Sequence, residues 1–400
     1  VLVTGELSVT DDFFERGGDS LSAIRLVARV QRRYGLELPI STLIEAPTVR
    51  ALARVITRGA ADAHEQTRGA AGAHEQTRGV ADAHDQTTTA AGARAATPAL
   101  VRLNASDSIA ARAPVFCVHP IGGNVLCYMP LARQLGRRRP VYGLQARGLH
   151  AGENPYASIP EMASAYAREM LEVQPSGPIH IAGWSFGGIV AVEIARQLAA
   201  AGRELAPVVV VDTMASIRLA VAPSETDVLE GFALELFGAA LDGEEWDEIF
   251  SPTSGLEREV RIARLIARAR ADGLVPDGVG SEQLERVFAV MRASLESFNT
   301  YEQRPFGGEL ILLRCLDAMP GRLRRMHDLI GSSYEDRTNG WGRYCPKVTV
   351  VPVQGDHLTI VREPHVAQIG RIIRRVLGGR GVEPAAGGAP ARDAMLEGGK

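Results

Sequence analysis

Short apolar runs at 115–118, 141–144, 179–182, 208–211, 309–313 and 347–352 alternate with longer segments whose apolar residues recur every three to four positions. Runs this short, apolar on successive residues, predict strands buried on both faces, and the intervening periodicity predicts the helices that cover them. Residues 100–378 are therefore expected to form an α/β domain around a mainly parallel sheet. From about 215 to 300 no strand pattern occurs, and 227–241, 256–271 and 282–298 read as amphipathic helices inserted between two strands. An insertion of helices at that point is a candidate lid over whatever the sheet edge carries. Ahead of this domain, Leu21, Ile24, Val27, Val30 and Tyr34 share one helical face behind a capping Asp19, and Gly35 ends the pattern. Residues 1–56 are thus expected to be a small helical domain of their own.

Between the two patterned regions, 57–99 is low in large apolar side chains and repeats itself. Residues 58–67, 68–77 and 78–87 read RGAADAHEQT, RGAAGAHEQT and RGVADAHDQT. Stacked copies of such a unit bury no core, so the segment is a linker, with an end-to-end distance on the order of 35 Å as a flexible coil. His64, His74 and His84 recur every ten residues but share no fixed coordination geometry, and no metal site is expected. The Gly/Ala/Pro-rich 379–400 reads as a disordered tail. The chain opens inside a patterned segment, which points to a longer parent with a neighbour upstream.

Composition narrows the function. Lys plus Arg number 44 against 47 Asp plus Glu, and a net charge of -3 offers no field for a phosphate backbone, so no nucleic-acid partner is expected. No apolar run approaches a membrane span and no signal peptide is visible, so neither a membrane nor an export route is expected, and the location is taken as cytoplasmic. Cys117, Cys127, Cys315 and Cys345 show no ligand spacing and read as reduced thiols.

Two motifs carry chemistry. In DDFFERGGDSLSAIRLV (11–27) the pair Gly17-Gly18 leaves an open approach to Ser20 at the start of a helix, where another enzyme can reach its hydroxyl. The string resembles the carrier domains of assembly-line synthetases, in the GGDS form of the peptidyl carriers of nonribosomal peptide synthetases, with the family's first helix truncated. The resemblance implies a four-helix-type all-α fold, 4′-phosphopantetheine attached covalently at Ser20, and a phosphopantetheinyl transferase as partner.

The second motif is Gly183-Trp184-Ser185-Phe186-Gly187-Gly188, with a strand pattern before it and a helix pattern after it. That context makes it a nucleophile elbow, in which a sharp strand-to-helix turn lifts the Ser185 hydroxyl out of the sheet edge. A serine needs a base, and this order of elements puts the acid and then the histidine later in the chain. His357, in the loop that leaves the last strand, is the candidate base; His365 is expected to start the last helix, and His119, His180 and His327 to be structural or solvated. Two aspartates stand just past strands, Asp212 and Asp317, and the general hydrolase arrangement favours Asp317. The N–H of Phe186, next after the nucleophile, supplies one oxyanion donor, and the loop His119 to Gly123 is placed to supply the other.

Carrier motif, elbow and helical insertion together resemble the type I thioesterases fused to the end of nonribosomal peptide synthetases, over 1–56 and 114–377. The resemblance implies an α/β-hydrolase fold, Asp212 as the acid, and Ile121 as the second oxyanion donor. It implies release of a peptidyl thioester by transfer to Ser185 and then macrocyclisation or hydrolysis, with upstream condensation and adenylation domains as partners. Editing or acyl transfer to a separate acceptor, and polyketide-type release, are the alternative readings.

Overall fold

The computed structural model describes residues 7–14, 16, 20–36, 38, 42–43, 46–58, 99–104, 112–215, 224–237, 243–250, 255–272, 281–317 and 336–379, and of Ser20 the backbone alone. The chain divides into two compact units. In the N-terminal unit, helix α1 (Ser20–Tyr34) ends where Gly35 turns to φ 68°, a left-handed conformation that glycine takes without strain. Val27 and Val30 are buried as the pattern predicts, with Ala23 beside them. Tyr34 is not: its side chain is 56% exposed, because the last helical turn runs past the end of so small a core. Phe13 and Phe14, in edge-to-face contact at 5.0 Å, complete that core with Leu43, Ala46 and Leu52. The segment before α1 is tied to residues 47–58, helical from 49, through Phe13 N–H to Pro47 O (2.7 Å) and Arg50 N–H to Val9 O (3.0 Å). Gly17, Gly18 and Asp19, the side chains of Leu21 and Ile24, His327, most of the predicted linker with its three histidines, and all but the first residue of the predicted tail lie outside the described residues.

The larger unit is built on a seven-stranded sheet of order β1-β3-β2-β4-β5-β6-β7. Its strands are β1 (Leu100–Arg102), β2 (Val115–Val118), β3 (Val141–Leu144), β4 (His180–Trp184), β5 (Val208–Val211), β6 (Glu309–Cys315) and β7 (Lys347–Val353). β1 pairs antiparallel with β3 and every other pairing is parallel. Every residue of β2 and of β5, Val208-Val209-Val210-Val211, is buried, which is what continuous apolar runs in a doubly covered sheet require. The six predicted strands are all present, and β4, β6 and β7 each run on past the predicted end. β1 escaped the sequence reading because three residues at a sheet edge carry no period.

Helices α2 (Met129–Leu135), α3 (Ile159–Val173), α4 (Phe186–Ala200) and α9 (Val366–Leu377) flank the sheet. α3 starts at Ser158, whose hydroxyl accepts the Glu161 N–H (3.3 Å), while the Glu161 carboxylate reaches one residue further back and accepts the Ala157 N–H (3.1 Å). Its face Ile159, Met162, Ala163, Tyr166 and Met170 is buried against α4 and the sheet. α4 is apolar nearly all round, as a helix pressed between sheet and neighbour must be. His365 precedes the first residue of α9, as expected. Between β5 and β6 the described residues hold four helices: α5 (Glu225–Phe237), α6 (Gly243–Phe250), α7 (Arg258–Ala271) and α8 (Ser281–Thr300). α6 was not foreseen, its eight residues being too few for a readable period.

The inserted helices are joined by aromatic and charged contacts. Phe232 of α5 meets Phe288 of α8 edge-on, and Arg258 of α7 lies over the same ring while its guanidinium pairs with Glu225 (2.7 Å) and Glu285 (3.2 Å). α8 has a second face that rests on the sheet domain. Arg286 donates to Leu149 O (3.3 Å), Phe298 packs edge-on against Phe186, and Tyr301, just past the helix, donates its hydroxyl to the buried Glu193 of α4 (2.8 Å). Among the described residues no helix is long and apolar enough to cross a membrane.

Candidate active site

Parallel strands end on one edge of the sheet, and loops from those ends converge there. β2 leads into His119 to Gly123, β4 into Ser185, β5 into Asp212, and β7 into the loop bearing His357. Ser185 has φ 56° and ψ −128°, a conformation an L-residue rarely adopts. It is held there by its own N–H donating to Val211 O (3.1 Å), its carbonyl accepting the Gly188 N–H (3.0 Å), and Thr213, whose hydroxyl lies 3.0 Å from Ser185 O and 3.1 Å from Val211 O. Glycine is required around it. A Cβ on Gly183 would collide with the backbone of Gly187 and Gly188, and one on Gly187 with the carbonyls of Val118 and His119.

His357 Nε2 lies 3.0 Å from Ser185 Oγ and His357 Nδ1 lies 2.9 Å from Asp212 Oδ2. Asp212 is buried, and its other oxygen accepts the Cys315 N–H (3.2 Å). Burial by itself would raise the Asp212 pKa, but the hydrogen bond and charge of His357 and the Cys315 amide outweigh it and hold the carboxyl below its ordinary 3.8. Folding therefore favours the ionised form. This contribution to stability is complete above 3.8 and is lost as pH falls through the lower folded value. Asp212→Asn is expected to flatten the loss of stability on acidification below about pH 4, read as urea midpoints measured down the acid range. An acid limb as steep as that of the parent chain would contradict this.

Of the two aspartates weighed from sequence, the structure brings Asp212 to the histidine and leaves Asp317 outside the chain of hydrogen bonds. Asp317 is exposed, and its carboxylate accepts the Gly355 N–H (3.0 Å), two residues before His357. It braces the histidine's loop instead of the imidazole. His119 is buried with Nδ1 2.7 Å from Pro120 O and Nε2 2.9 Å from the Tyr166 hydroxyl, and burial lowers its pKa to about 4. Its two ring nitrogens are thus both engaged away from Ser185. His180 lies in β4, away from the carboxyl edge.

Phe186 opens α4, so its N–H belongs to a helix N-terminus, where negative charge is favoured. Ile121 lies in the turn that follows β2, closed by the Gly123 N–H to Pro120 O (3.0 Å). Val290 of α8 packs directly on Gly123, whose φ is 82°, and Phe298 packs on the ring of Phe186, so α8 touches both the loop after β2 and the first residue of α4. Sequence reasoning assigned the helix to a lid and missed this contact, because nothing in a helical period says which loop it will cross. Ser20 stands first in α1, a helix of 15 residues, and the positive end of a helix dipole suits the phosphodiester of a phosphopantetheine arm. Among the described residues no group of three or more His, Cys, Asp or Glu is arranged to hold a metal ion.

Sheet order, elbow and a hydrogen-bonded Ser–His–Asp chain at the carboxyl edge are together those of an α/β-hydrolase. The model of the thioesterase domain family matches residues 113–377 and that of the phosphopantetheine attachment site matches residues 2–56, so this chain belongs to the thioesterase domain family and carries a phosphopantetheine carrier domain ahead of it. It is 28% identical over 314 residues to a dimodular nonribosomal peptide synthase of Bacillus subtilis (strain 168), covering 78% of this chain and 11% of that protein. It is 26% identical over 392 residues to an indigoidine synthase of Streptomyces lavendulae, covering 93% of this chain and 25% of that protein. A crystal structure of a four-domain nonribosomal peptide synthetase bound to AMP and glycine matches with a TM-score of 0.61 and 25% identity over 92% of this chain and 24% of that one. The chain thus spans a quarter or less of the length of these relatives.

Proposed function

We propose that this chain is the carrier and releasing-thioesterase segment of a nonribosomal peptide synthetase, which frees a peptidyl or acyl thioester from the assembly line by macrocyclisation or hydrolysis. The observation that carries the reading is the Ser185–His357–Asp212 chain of hydrogen bonds on a strained elbow, in the same polypeptide as a phosphopantetheine attachment domain. In this reading Ser20 Oγ holds the arm, loaded by a phosphopantetheinyl transferase, and the arm when attached supplies a thiol on which the acyl group is borne as a thioester. Residues 1–56, 57–99 and 100–378 act as carrier, tether and releasing domain. Upstream condensation and adenylation domains of the same cytoplasmic synthetase supply the acyl chain.

The chemistry follows from the geometry. His357 Nε2 takes the Ser185 proton as Oγ attacks the thioester carbon, and the N–H groups of Phe186 and Ile121 receive the charge that develops on oxygen. Asp212 keeps Nδ1–H of His357 in place and stabilises the imidazolium. His357 then gives its proton to the departing thiolate, leaving an ester on Ser185. In the second step His357 activates water or an internal amine or hydroxyl of the acyl chain, which opens that ester and restores the serine. α8, which packs on Gly123 and on the ring of Phe186, would narrow the route by which bulk water arrives.

Loading the full chain with an acyl-phosphopantetheine and following it by intact mass and peptide mapping tests this reading. The acyl mass is expected first on the Ser20 peptide, then on the Ser185 peptide, and then in free product whose mass distinguishes water from an internal attacker. Ser20→Ala is expected to take up no arm. Clearance of short acyl groups with full-length peptide retained would make the chain an editing thioesterase, and acyl groups that never reach Ser185 would overturn the proposal.

A further inference from the structure

Two side chains outside the triad join three of the four loops that meet at the site. Tyr128 lies in the short helical turn Leu126–Tyr128 and is buried. Its hydroxyl donates to Val118 O (2.6 Å), at the end of β2, and accepts the Trp184 N–H (2.9 Å), at the end of β4. The last paired residues of these strands are Val118 and Gly183. One hydroxyl therefore stands between the strand ends at the point where β2 departs into the Ile121 loop and β4 departs into the elbow. Trp184 continues the link from its side chain. Its indole N–H donates to His357 O (3.0 Å), and its ring lies 5.5 Å from the imidazole at 41°. Asp212 fixes the imidazole of His357 through Nδ1, whereas Trp184 fixes the backbone that carries it.

We infer that Tyr128 and Trp184 are positioning residues for the releasing reaction, locking the Ile121 loop, the Ser185 elbow and the His357 loop into one register through three hydrogen bonds. The inference rests on the roles given above to Ser185, His357 and Ile121. Its physical basis is that donor, base and nucleophile act only when aligned to a fraction of an ångström, and each sits on a different loop. Neither side chain need touch the substrate, so the effect falls on the rate of acyl transfer and not on binding.

Trp184→Phe keeps an aromatic ring and deletes the N–H, and Tyr128→Phe deletes the hydroxyl alone. With an acyl-N-acetylcysteamine thioester and the full chain, kcat of each is expected to fall on the order of 10- to 100-fold with KM within about twofold. A fluorophosphonate probe that labels Ser185 separates alignment from partial unfolding. Misalignment lowers the rate constant of labelling while the labelled fraction still reaches that of the parent; unfolding lowers the fraction instead. Tyr128→Phe leaves the Val118 carbonyl and the Trp184 N–H without this partner and is the more exposed to folding failure, so Trp184→Phe decides the matter. Parent-like kcat and labelling rate in Trp184→Phe, or a loss confined to KM or to the labelled fraction, would overturn the inference. Ser185→Ala, run alongside, separates this from the underlying reading: release that survives in Ser185→Ala removes the triad assignment, whereas its loss together with parent-like Trp184→Phe removes only the positioning role.

Discussion

Ser185→Ala is expected to slow acyl release by about 10⁶-fold, the scale on which loss of a serine nucleophile acts when its base and acid remain. The change is clean in structural terms. The Ser185 hydroxyl is hydrogen-bonded to His357 Nε2, and alanine at φ 56° meets the same backbone strain as serine, so the elbow, held by Val211, Gly188 and Thr213 through backbone atoms of residue 185, keeps its shape. What disappears is the covalent step. A thioester can still sit against the Phe186 and Ile121 amides, and that residual polarisation leaves release on the order of 10³- to 10⁴-fold above the reaction in water. The measurement is a single turnover on the loaded carrier: the parent sheds its acyl group, and the variant keeps it on the arm with a melting temperature like the parent's. Release in the variant within about tenfold of the parent would show that another group, or water directly, attacks the thioester.

That prediction could be written from the sequence, because an elbow is a local object: strand, turn and helix follow one another within about a dozen residues, and the glycines that let Gly183 and Gly187 approach neighbouring backbone are part of the motif. The same holds for the strands, whose runs of four apolar residues need no partner to be recognised. Non-local matters were less legible. Choosing between Asp212 and Asp317 required knowing which loop end lies under the imidazole, a property of how β5, β6 and β7 are ordered and staggered, and residues alone left both open. Tyr128 and Trp184 were invisible for the same reason, since 56 residues separate the partners of one hydrogen bond and 173 those of another. α8 was legible as a helix, yet its second face, which meets Gly123 and Phe186, was not, because the side chains involved are ordinary Val and Phe.

The two aspartates give the sharpest contrast. Asp212→Asn is expected to cost about 10⁴-fold in kcat, and Asp317→Asn less than about tenfold, although the residues differ little in sequence context. Asp212 accepts from His357 Nδ1 and from the Cys315 amide with its two oxygens, so it fixes both the tautomer and the ring. In asparagine one of those oxygens becomes an amide donor. If the Cys315 N–H keeps the carbonyl oxygen, the amide faces Nδ1 and forces the proton onto Nε2, where it can no longer accept from Ser185. The imidazolium of the transition state also loses the one carboxylate hydrogen-bonded to it, in a place too buried for water to compensate. Asp317 accepts the Gly355 N–H at an exposed position, and an asparagine carbonyl accepts that bond as well. The comparison is made by stopped-flow release from a thioester with the two variants at one pH, where Asp212 is ionised. Losses in the opposite order would return the acid to the end of β6 and make the Asp212–His357 bond structural, and equal losses would mean that holding the Gly355 loop matters as much as holding the ring.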